Sequence, residues 1–191
     1  MMTTIPLSGP LVLASKSPRR HELLSLMGLP FIVELKEVDE SYPLQLHPAE
    51  VAIYIALQKA KAFGDTGERI VITADTIVAM NGAILGKPEN ADHAKTMLKA
   101  LSGKTHEVYT GVVLIRKDKQ VSFYDRTQVK CRVVTEDEID FYIGQYQPFD
   151  KAGSYGIQDW WGLTVVQEIR GSYTNVMGLP TEKLYEALKI F

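Results

Sequence analysis

The chain has little cysteine, no excess of basic residues and no long apolar run, and each shortage excludes a class of protein. Its 191 residues include a single cysteine, Cys131, which excludes a disulfide framework and a cysteine-based zinc site. The histidines form no HExxH pattern or other close pair of ligands, so a zinc enzyme is a poor interpretation. The four histidines are His21, His47, His93 and His106.

The charge balance argues against a general affinity for nucleic acid. Twenty-one Lys and Arg against 23 Asp and Glu give a formal net charge of -2, so no broad positive field exists to hold a long polyanion. Any anion site must therefore be local. No apolar segment approaches the roughly 18 residues needed to cross a bilayer, and the first residues lack the features of a secretory signal. We therefore expect a cytoplasmic protein with no nucleic-acid or membrane partner.

Length and hydrophobic periodicity predict one mixed α/β domain over residues 1–191. Strands are predicted at 11–14, at 69–74 with a continuation at 76–80, and at 83–85, 105–115, 121–133 and 163–169. Helices are predicted to begin after Ser17, at Pro48, and after Asn90, Thr135 and Pro180. Strands interspersed with helices favour one long sheet flanked by helices.

Three local signals sharpen these boundaries. Asn81-Gly82 is the dipeptide favoured in a type I′ hairpin turn. Thr135 followed by Glu138 has the spacing of a capping box. In segment 121–133 the apolar residues fall on odd positions up to Val133, which predicts a strand with one mostly apolar face.

The first chemically informative feature is a pair of arginines, Arg19 and Arg20, in the opening turn of a predicted helix. Free backbone N–H groups and the helix dipole already make that position positive, so two cations there make sense if an anion binds. Ser15 adds a hydroxyl donor. The alternative is that both arginines are solvated or pair with Glu22 and Glu50.

A carboxylate interrupts the most apolar part of the chain. Asp75 follows the buried run 70–74 and is followed by further strand residues. A buried Asp is normally paired, metal-bound or hydrogen-bonded, and strand ends at clefts are where sites lie in α/β folds. The alternative is that Asp75 caps a local turn.

Two lysines are candidates for anion binding. Lys59 borders the apolar stripe of the second helix, so its half-buried ammonium would need a counter-charge, unless it extends to water. Lys87 lies in GAILGKP, whose spacing and following proline do not match a phosphate-binding P-loop. On spacing alone Lys87 is better interpreted as a turn lysine.

Further residues are candidates for binding a metal ion or a nucleobase. Glu37, Asp39 and Glu40 carry hard oxygen ligands that could hold Mg²⁺ together with Asp75, although a run of charges is usually a solvated loop. Gln158 has the donor and acceptor needed to bind a base edge, yet a lone Gln in a loop is usually exposed.

The adjacent Trp160-Trp161 could stack on a base, but a core or interface role is the better interpretation. His106 and Cys131 are interpreted as structural.

Eight segments in order resemble the Maf family of nucleotide pyrophosphatases, over about residues 11–188. They are LASKSPRRHELL, EVDES, QKAKA, ADTIV, GKP, SGKTHEVYTG, DKAGSYGIQ and GSYTNVMGLP. The resemblance implies an inosine-triphosphatase-like α/β fold, with an elongated mixed sheet, flanking helices and a cleft between two lobes. It also implies cleavage of nucleoside triphosphates between the α and β phosphates, releasing pyrophosphate.

The same resemblance assigns roles to residues. Asp75 becomes the proton acceptor, and Glu40 joins it in a site for Mg²⁺ or Mn²⁺. The implied phosphate ligands are Ser15, Arg19, Arg20, Lys59 and Lys87.

The subfamily follows from three positions. A branch that prefers methylated guanine nucleotides has SPWR, DQ and a later Glu where this chain has Arg19, Thr76 and Gln158. The chain is thus similar to the branch acting on dTTP and UTP, with modified pyrimidine nucleotides as alternative substrates. A neutral Gln suits the imide edge of thymine or uracil. The rival hypotheses are a non-catalytic nucleotide-binding regulator of septum formation and a purine (ITP or XTP) pyrophosphatase. A homodimer is a further hypothesis.

Overall fold

The strands predicted along the chain join a single seven-stranded sheet. A computed structural model describes residues 5–191, so residues 1–4 of the predicted domain lie outside the described part. The strands are β1 (Leu11–Leu13), β2 (Phe31–Val33), β3 (Ile70–Met80), β4 (Ala83–Leu85), β5 (Thr105–Arg116), β6 (Lys119–Cys131) and β7 (Val166–Arg170). The helices are α1 (Pro18–Leu26), α2 (Pro48–Lys61), α3 (Ala91–Leu101), α4 (Glu136–Tyr146), α5 (Trp160–Thr164), α6 (Tyr173–Met177) and α7 (Thr181–Leu188).

The sheet is mixed, as predicted. Its order is β2-β1-β3-β5-β6-β7, and β4 pairs with β3 beside this path. Strand β1 runs parallel to both β2 and β3, whereas the other pairs are antiparallel. The α/β fold with one long sheet flanked by helices is therefore confirmed.

Strand β3 carries helices on both of its faces, which explains its nearly continuous burial. Ile70, Ile72 and Ala74 face the main core, which also holds residues of α1, α3, α4 and α7. Ile77 and Ala79 face the other way and pack against α2. Successive side chains of a strand point to opposite faces. In the middle of β3, Asp75 is therefore directed to α2 and Thr76 to α1.

A glycine lets α2 approach the sheet closely. Gly111 on β5 lies opposite Asp75 of β3. A Cβ added to Gly111 would come within 2.5 Å of the backbone of Ala52 and Ile53 in α2. Because glycine has no side chain, α2 can lie against the middle of the sheet. The helix extends from there to a last turn that contains Lys59 and Lys61.

The C-terminal third departs from the predicted elements. Strand β6 ends at Cys131, so Val133 lies beyond the strand and is 77% exposed instead of sharing its apolar face. The predicted strand 163–169 is wrong at its start, because Leu163 belongs to α5 and only β7 is extended. The loop after β7 contains the short helix α6, and strand β2 had no predicted counterpart.

The described helices are all too short or too polar to cross a bilayer.

Candidate active site

A notch in the sheet creates the main cleft. On one edge of β3, strand β1 pairs with Ile70–Ile72 and strand β4 pairs with Val78–Met80. The stretch between Ile72 and Val78 has no strand partner on that edge, so side chains from both faces of β3 reach the same opening. The resulting cleft has a volume of about 590 Å³, within the range of small-molecule sites.

The centre of the cleft holds two carboxylates joined by one ammonium. Asp75, from the unpaired stretch of β3, accepts from Lys59 Nζ at 2.8 Å. The same Nζ lies 2.9 Å from Glu40 Oε1. The side chains of Lys59 and Asp75 are only 16% and 14% exposed, so Lys59 is not extended into water. The alternative in which Asp75 caps a turn is wrong, because Asp75 lies inside β3.

On the opposite face of β3, Arg20 of α1 is held by three neutral acceptors. Its Nε donates to Gly178 O at 2.7 Å, its Nη1 to Ser15 Oγ at 3.2 Å and its Nη2 to Thr76 Oγ1 at 3.0 Å. Ser15 Oγ also accepts from the backbone N–H of Ser17 at 3.2 Å. The Ser15 hydroxyl proton is therefore free to be donated to a ligand in the cleft.

The N-terminus of α1 lacks the groups that usually neutralise a helix start. Ser17 makes no side-chain cap and the first turn contains no acidic residue. By contrast, α3 and α4 are capped by the Asn90 and Thr135 side chains and carry acidic residues in their first turns. An uncapped positive helix end that opens onto a cleft and carries arginines has the composition of an anion site.

Further cations line the cleft, among them Arg19, Lys151 and Lys87. Arg19 Nη1 lies 3.3 Å from Asp150 Oδ2, so the alternative pairing with Glu22 or Glu50 is wrong. Lys151 is largely buried and its Nζ lies 2.7 Å from Asp150 Oδ1. Lys87 also lines the cleft, and it makes no ion pair with any residue in 5–191.

The electrostatics of the site favour cationic partners for Glu40. Partial burial alone would raise the pKa of Glu40, but the hydrogen bond and charge of Lys59, with Lys87 and Arg20, lower it below its usual value. Burial lowers the pKa of Arg20, an effect that Asp75 opposes. Because an arginine stays protonated even so, Arg20 is a poorly solvated cation that gains from an anionic ligand.

The family model described as "Maf-like protein" matches residues 10–191. The chain belongs to the Maf family. Relatives in Bacillus cereus and Bacillus cytotoxicus, each named dTTP/UTP pyrophosphatase, are 51% identical over 182 residues and 53% identical over 181 residues. The matches cover 95% of both chains in the first case and 94% of both in the second.

Two solved structures overlap this Maf protein more loosely. A HAM1 protein from Coxiella burnetii is 17% identical with a TM-score of 0.45, covering 64% of this chain and 73% of that one. A nucleoside-triphosphatase, named dITP/XTP pyrophosphatase, from Mycobacterium abscessus is 13% identical with a TM-score of 0.46, covering 93% of both chains. The strand order given above defines the fold without them.

The carboxylates of this Maf protein fit a divalent cation only in part. Among residues 5–191, no three acidic, histidine or cysteine side chains form a ready metal cluster. Mg²⁺ commonly binds through one or two carboxylates together with substrate phosphate oxygens. Glu40 and Asp75 converge on one point, which the ammonium of Lys59 occupies. This donor set suits Mg²⁺ or Mn²⁺ when a triphosphate supplies the other oxygens.

The structure brings together most of the residues selected from the sequence, but not all. The cleft is lined by Ser15, Arg19, Arg20, Glu37, Glu40, Lys59, Asp75, Thr76 and Lys87. Asp39 instead accepts from its own neighbour Ser41, at 2.7 Å between the side chains. Gln158 is half-buried outside the cleft lining, and its Oε1 has no partner among the described residues.

Sequence reasoning did not single out two contributors to the site. Lys151 lies in the segment DKAGSYGIQ, which resembles a block of the family, but no role was assigned to this lysine. Gly178 lies in the segment GSYTNVMGLP, but its contribution is a backbone carbonyl, a role that residue type does not reveal. Of the two tryptophans, Trp161 is completely buried in the main core, so its structural interpretation is confirmed.

Proposed function

We propose that this Maf protein is a nucleoside triphosphate pyrophosphatase that hydrolyses dTTP and UTP to the monophosphate and pyrophosphate. One observation carries the proposal. Seven basic and four acidic side chains line the cleft, an excess of three positive charges in a chain whose net charge is -2. A concentrated local positive charge around one strand carboxylate suits a small polyanion that is hydrolysed where it binds.

The proposed reaction is attack of a water molecule on the α phosphorus. Asp75 orients the water and accepts its proton while the bond from the α phosphorus to the bridging oxygen breaks. Lys59, Lys87 and Arg20 balance the negative charge that grows on the departing pyrophosphate, so catalysis is mainly positioning and charge stabilisation. Mg²⁺ or Mn²⁺, held by Glu40 and Asp75 with the triphosphate, would lower the pKa of a bound water.

The names of the Bacillus relatives support dTTP and UTP as the substrates. Arg19, Thr76 and Gln158 remain the proposed specificity positions, with Arg19 and Thr76 in the cleft lining. A pure nucleotide-binding regulator would not need Asp75, since a carboxylate beside a triphosphate weakens binding unless a cation compensates.

The setting of the activity is also proposed. We infer that the enzyme acts on free nucleotides and not on a nucleic-acid strand, because a slightly negative net charge provides no broad positive field for a long polyanion. Action in the cytoplasm without a membrane partner stays a hypothesis. A homodimer and an effect on cell division stay hypotheses.

The first experiment measures pyrophosphate release from dTTP, UTP, CTP, ATP, GTP and ITP with Mg²⁺ or Mn²⁺. We expect dTTP and UTP to be preferred, and Asp75→Asn to lower kcat by about 10²- to 10⁴-fold, the weight of a general base. A preference for ITP would support the purine hypothesis, and binding without hydrolysis would support the regulator.

A matched control is available on β6. Asp125 is 16% exposed and lies 2.7 Å from Lys183, so Asp125→Asn removes a similarly buried, lysine-paired carboxylate away from the cleft. We expect it to leave kcat unchanged. Equal losses in both variants, or full activity in Asp75→Asn, would remove Asp75 from the mechanism.

A further inference from the structure

A chain of hydrogen bonds runs from the cleft into the sheet behind Arg20. Thr76 on β3 and Thr110 on β5 are direct partners in the strand register, so their side chains lie on the same face. Their hydroxyl oxygens are 3.0 Å apart. Thr110 is completely buried and does not line the cleft.

The direction of these hydrogen bonds follows from the innermost one. Thr110 Oγ1 donates to the backbone carbonyl of Asn175 at 2.9 Å, and a carbonyl oxygen can only accept. Since each hydroxyl has one proton, Thr76 must donate to Thr110. The Thr76 oxygen then presents a lone pair to Arg20, whose Nη2 donates to it at 3.0 Å.

Asn175, at the inner end of these hydrogen bonds, is held firmly in place. Asn175 of α6 is completely buried, and its Nδ2 donates to Val108 O at 3.1 Å and to Thr127 Oγ1 at 2.9 Å. The segment that follows α6 supplies Gly178, whose carbonyl accepts from Arg20 Nε. One anchored segment therefore sets two of the acceptors of the guanidinium, one directly and one through the threonines.

The contacts on Arg20 define which of its protons remain for a ligand. A guanidinium has five N–H groups, and three of them are directed to Ser15, Thr76 and Gly178. One N–H remains on each terminal nitrogen. Such a pair is suited to two oxygens of one phosphate, provided that the internal acceptors keep the guanidinium in its orientation.

We propose that Thr110 is a positioning residue for phosphate binding, which acts through Thr76 to orient Arg20. The proposal rests on the proposed function for its substrate class, the polyphosphate of a nucleotide. It also implies that the single hydroxyl proton of Thr76 is used inside the protein, so Thr76 influences substrate choice through Arg20 rather than by donating to a base.

The test compares Thr110→Val with Thr110→Ser. Valine has nearly the same shape without the hydroxyl, and serine restores the hydroxyl. The control is Thr73→Val, because Thr73 on β3 is also completely buried and donates to a carbonyl, Ala56 O at 2.7 Å, on the α2 side of the sheet. Affinity for inorganic tripolyphosphate is measured by calorimetry, and KM and kcat are measured with dTTP.

We expect Thr110→Val to weaken tripolyphosphate binding about tenfold and to raise KM by about the same factor. This is the effect expected for the loss of one hydrogen bond. Thr110→Ser should restore most of the affinity, and Thr73→Val should bind like the wild type. Thr76→Val breaks the same chain at its other link, so it should weaken binding equally and provides the test if Thr110→Val does not fold.

A double-mutant cycle separates positioning from a general structural effect. In an Arg20→Ala background, Thr110→Val should have no further effect on tripolyphosphate affinity. An undiminished effect there, or wild-type affinity in Thr110→Val, would overturn the proposal. Because tripolyphosphate binding needs no turnover, failure of the wild type to hydrolyse any nucleotide would refute the proposed function and leave this cycle interpretable.

Discussion

The clearest quantitative expectation concerns His106, which should make the protein lose stability in mild acid. The ring is 1% exposed, its Nε2 lies 2.7 Å from Tyr155 Oη, and its Nδ1 has no partner among the described residues. Burial lowers the pKa of His106 from 6.5 to about 4. Tyr155 lines the cleft, so protonation would disturb a group close to the site.

The sign and size follow from proton linkage. Between pH 4 and 6.5 the unfolded chain binds a proton at this position that the folded protein excludes, so stability falls as the pH falls through this window. The contribution of His106 to the free energy of unfolding is fully present above pH 6.5 and fully lost below pH 4. With about 1.4 kcal/mol per pKa unit, the loss between pH 7 and pH 5 is about 2 kcal/mol.

The assay is urea unfolding at pH 7 and pH 5 for the wild type and His106→Gln. The variant is expected to be less stable at both values, yet its change between them should be smaller by about 2 kcal/mol, with equal m values. If both proteins lose the same stability between pH 7 and pH 5, the buried neutral histidine is not the cause and the reasoning is refuted.

Three further substitutions can be tested by the same urea midpoints. Gly111→Ala should destabilise the protein by about 1–3 kcal/mol, because the new Cβ would lie 2.5 Å from backbone atoms of α2. Gly144→Ala should instead stabilise α4 by about 0.5–1 kcal/mol. A Cβ added at Gly144 would have no atom within 4 Å. Thr135→Ala should cost about 1 kcal/mol through loss of the α4 cap; an unchanged midpoint would argue against the cap.

Signals that act within a few residues were predictive. Asn81 and Gly82 form the turn between β3 and β4 with φ values of 52° and 80°, as a type I′ turn requires. Asn90 caps α3, and Thr135 with Glu138 forms the predicted capping box. These features could be identified because both partners of each contact are close in the chain.

Elements that depend on distant contacts were not predictable. Strand β2 and helices α5 and α6 have only three to five residues, too few to show a period, whereas β7 overlaps the later part of the strand predicted at 163–169. Their conformations are set by what they pack against. Helix α5 includes the completely buried Trp161, whereas its exposed Leu163 favoured a strand in the sequence pattern.

For the site, the sequence determined which charged side chains needed partners: a carboxylate inside an apolar strand, a lysine beside an apolar stripe and two arginines at a helix start. Only the tertiary structure decided that Lys59 would pair with both Glu40 and Asp75, that Gln158 would lie outside the cleft, and that Gly178 would hold Arg20. The physical reason is that burial of a charge is a local property of the chain, whereas its partner is chosen by strand register and helix packing between segments that are far apart in sequence.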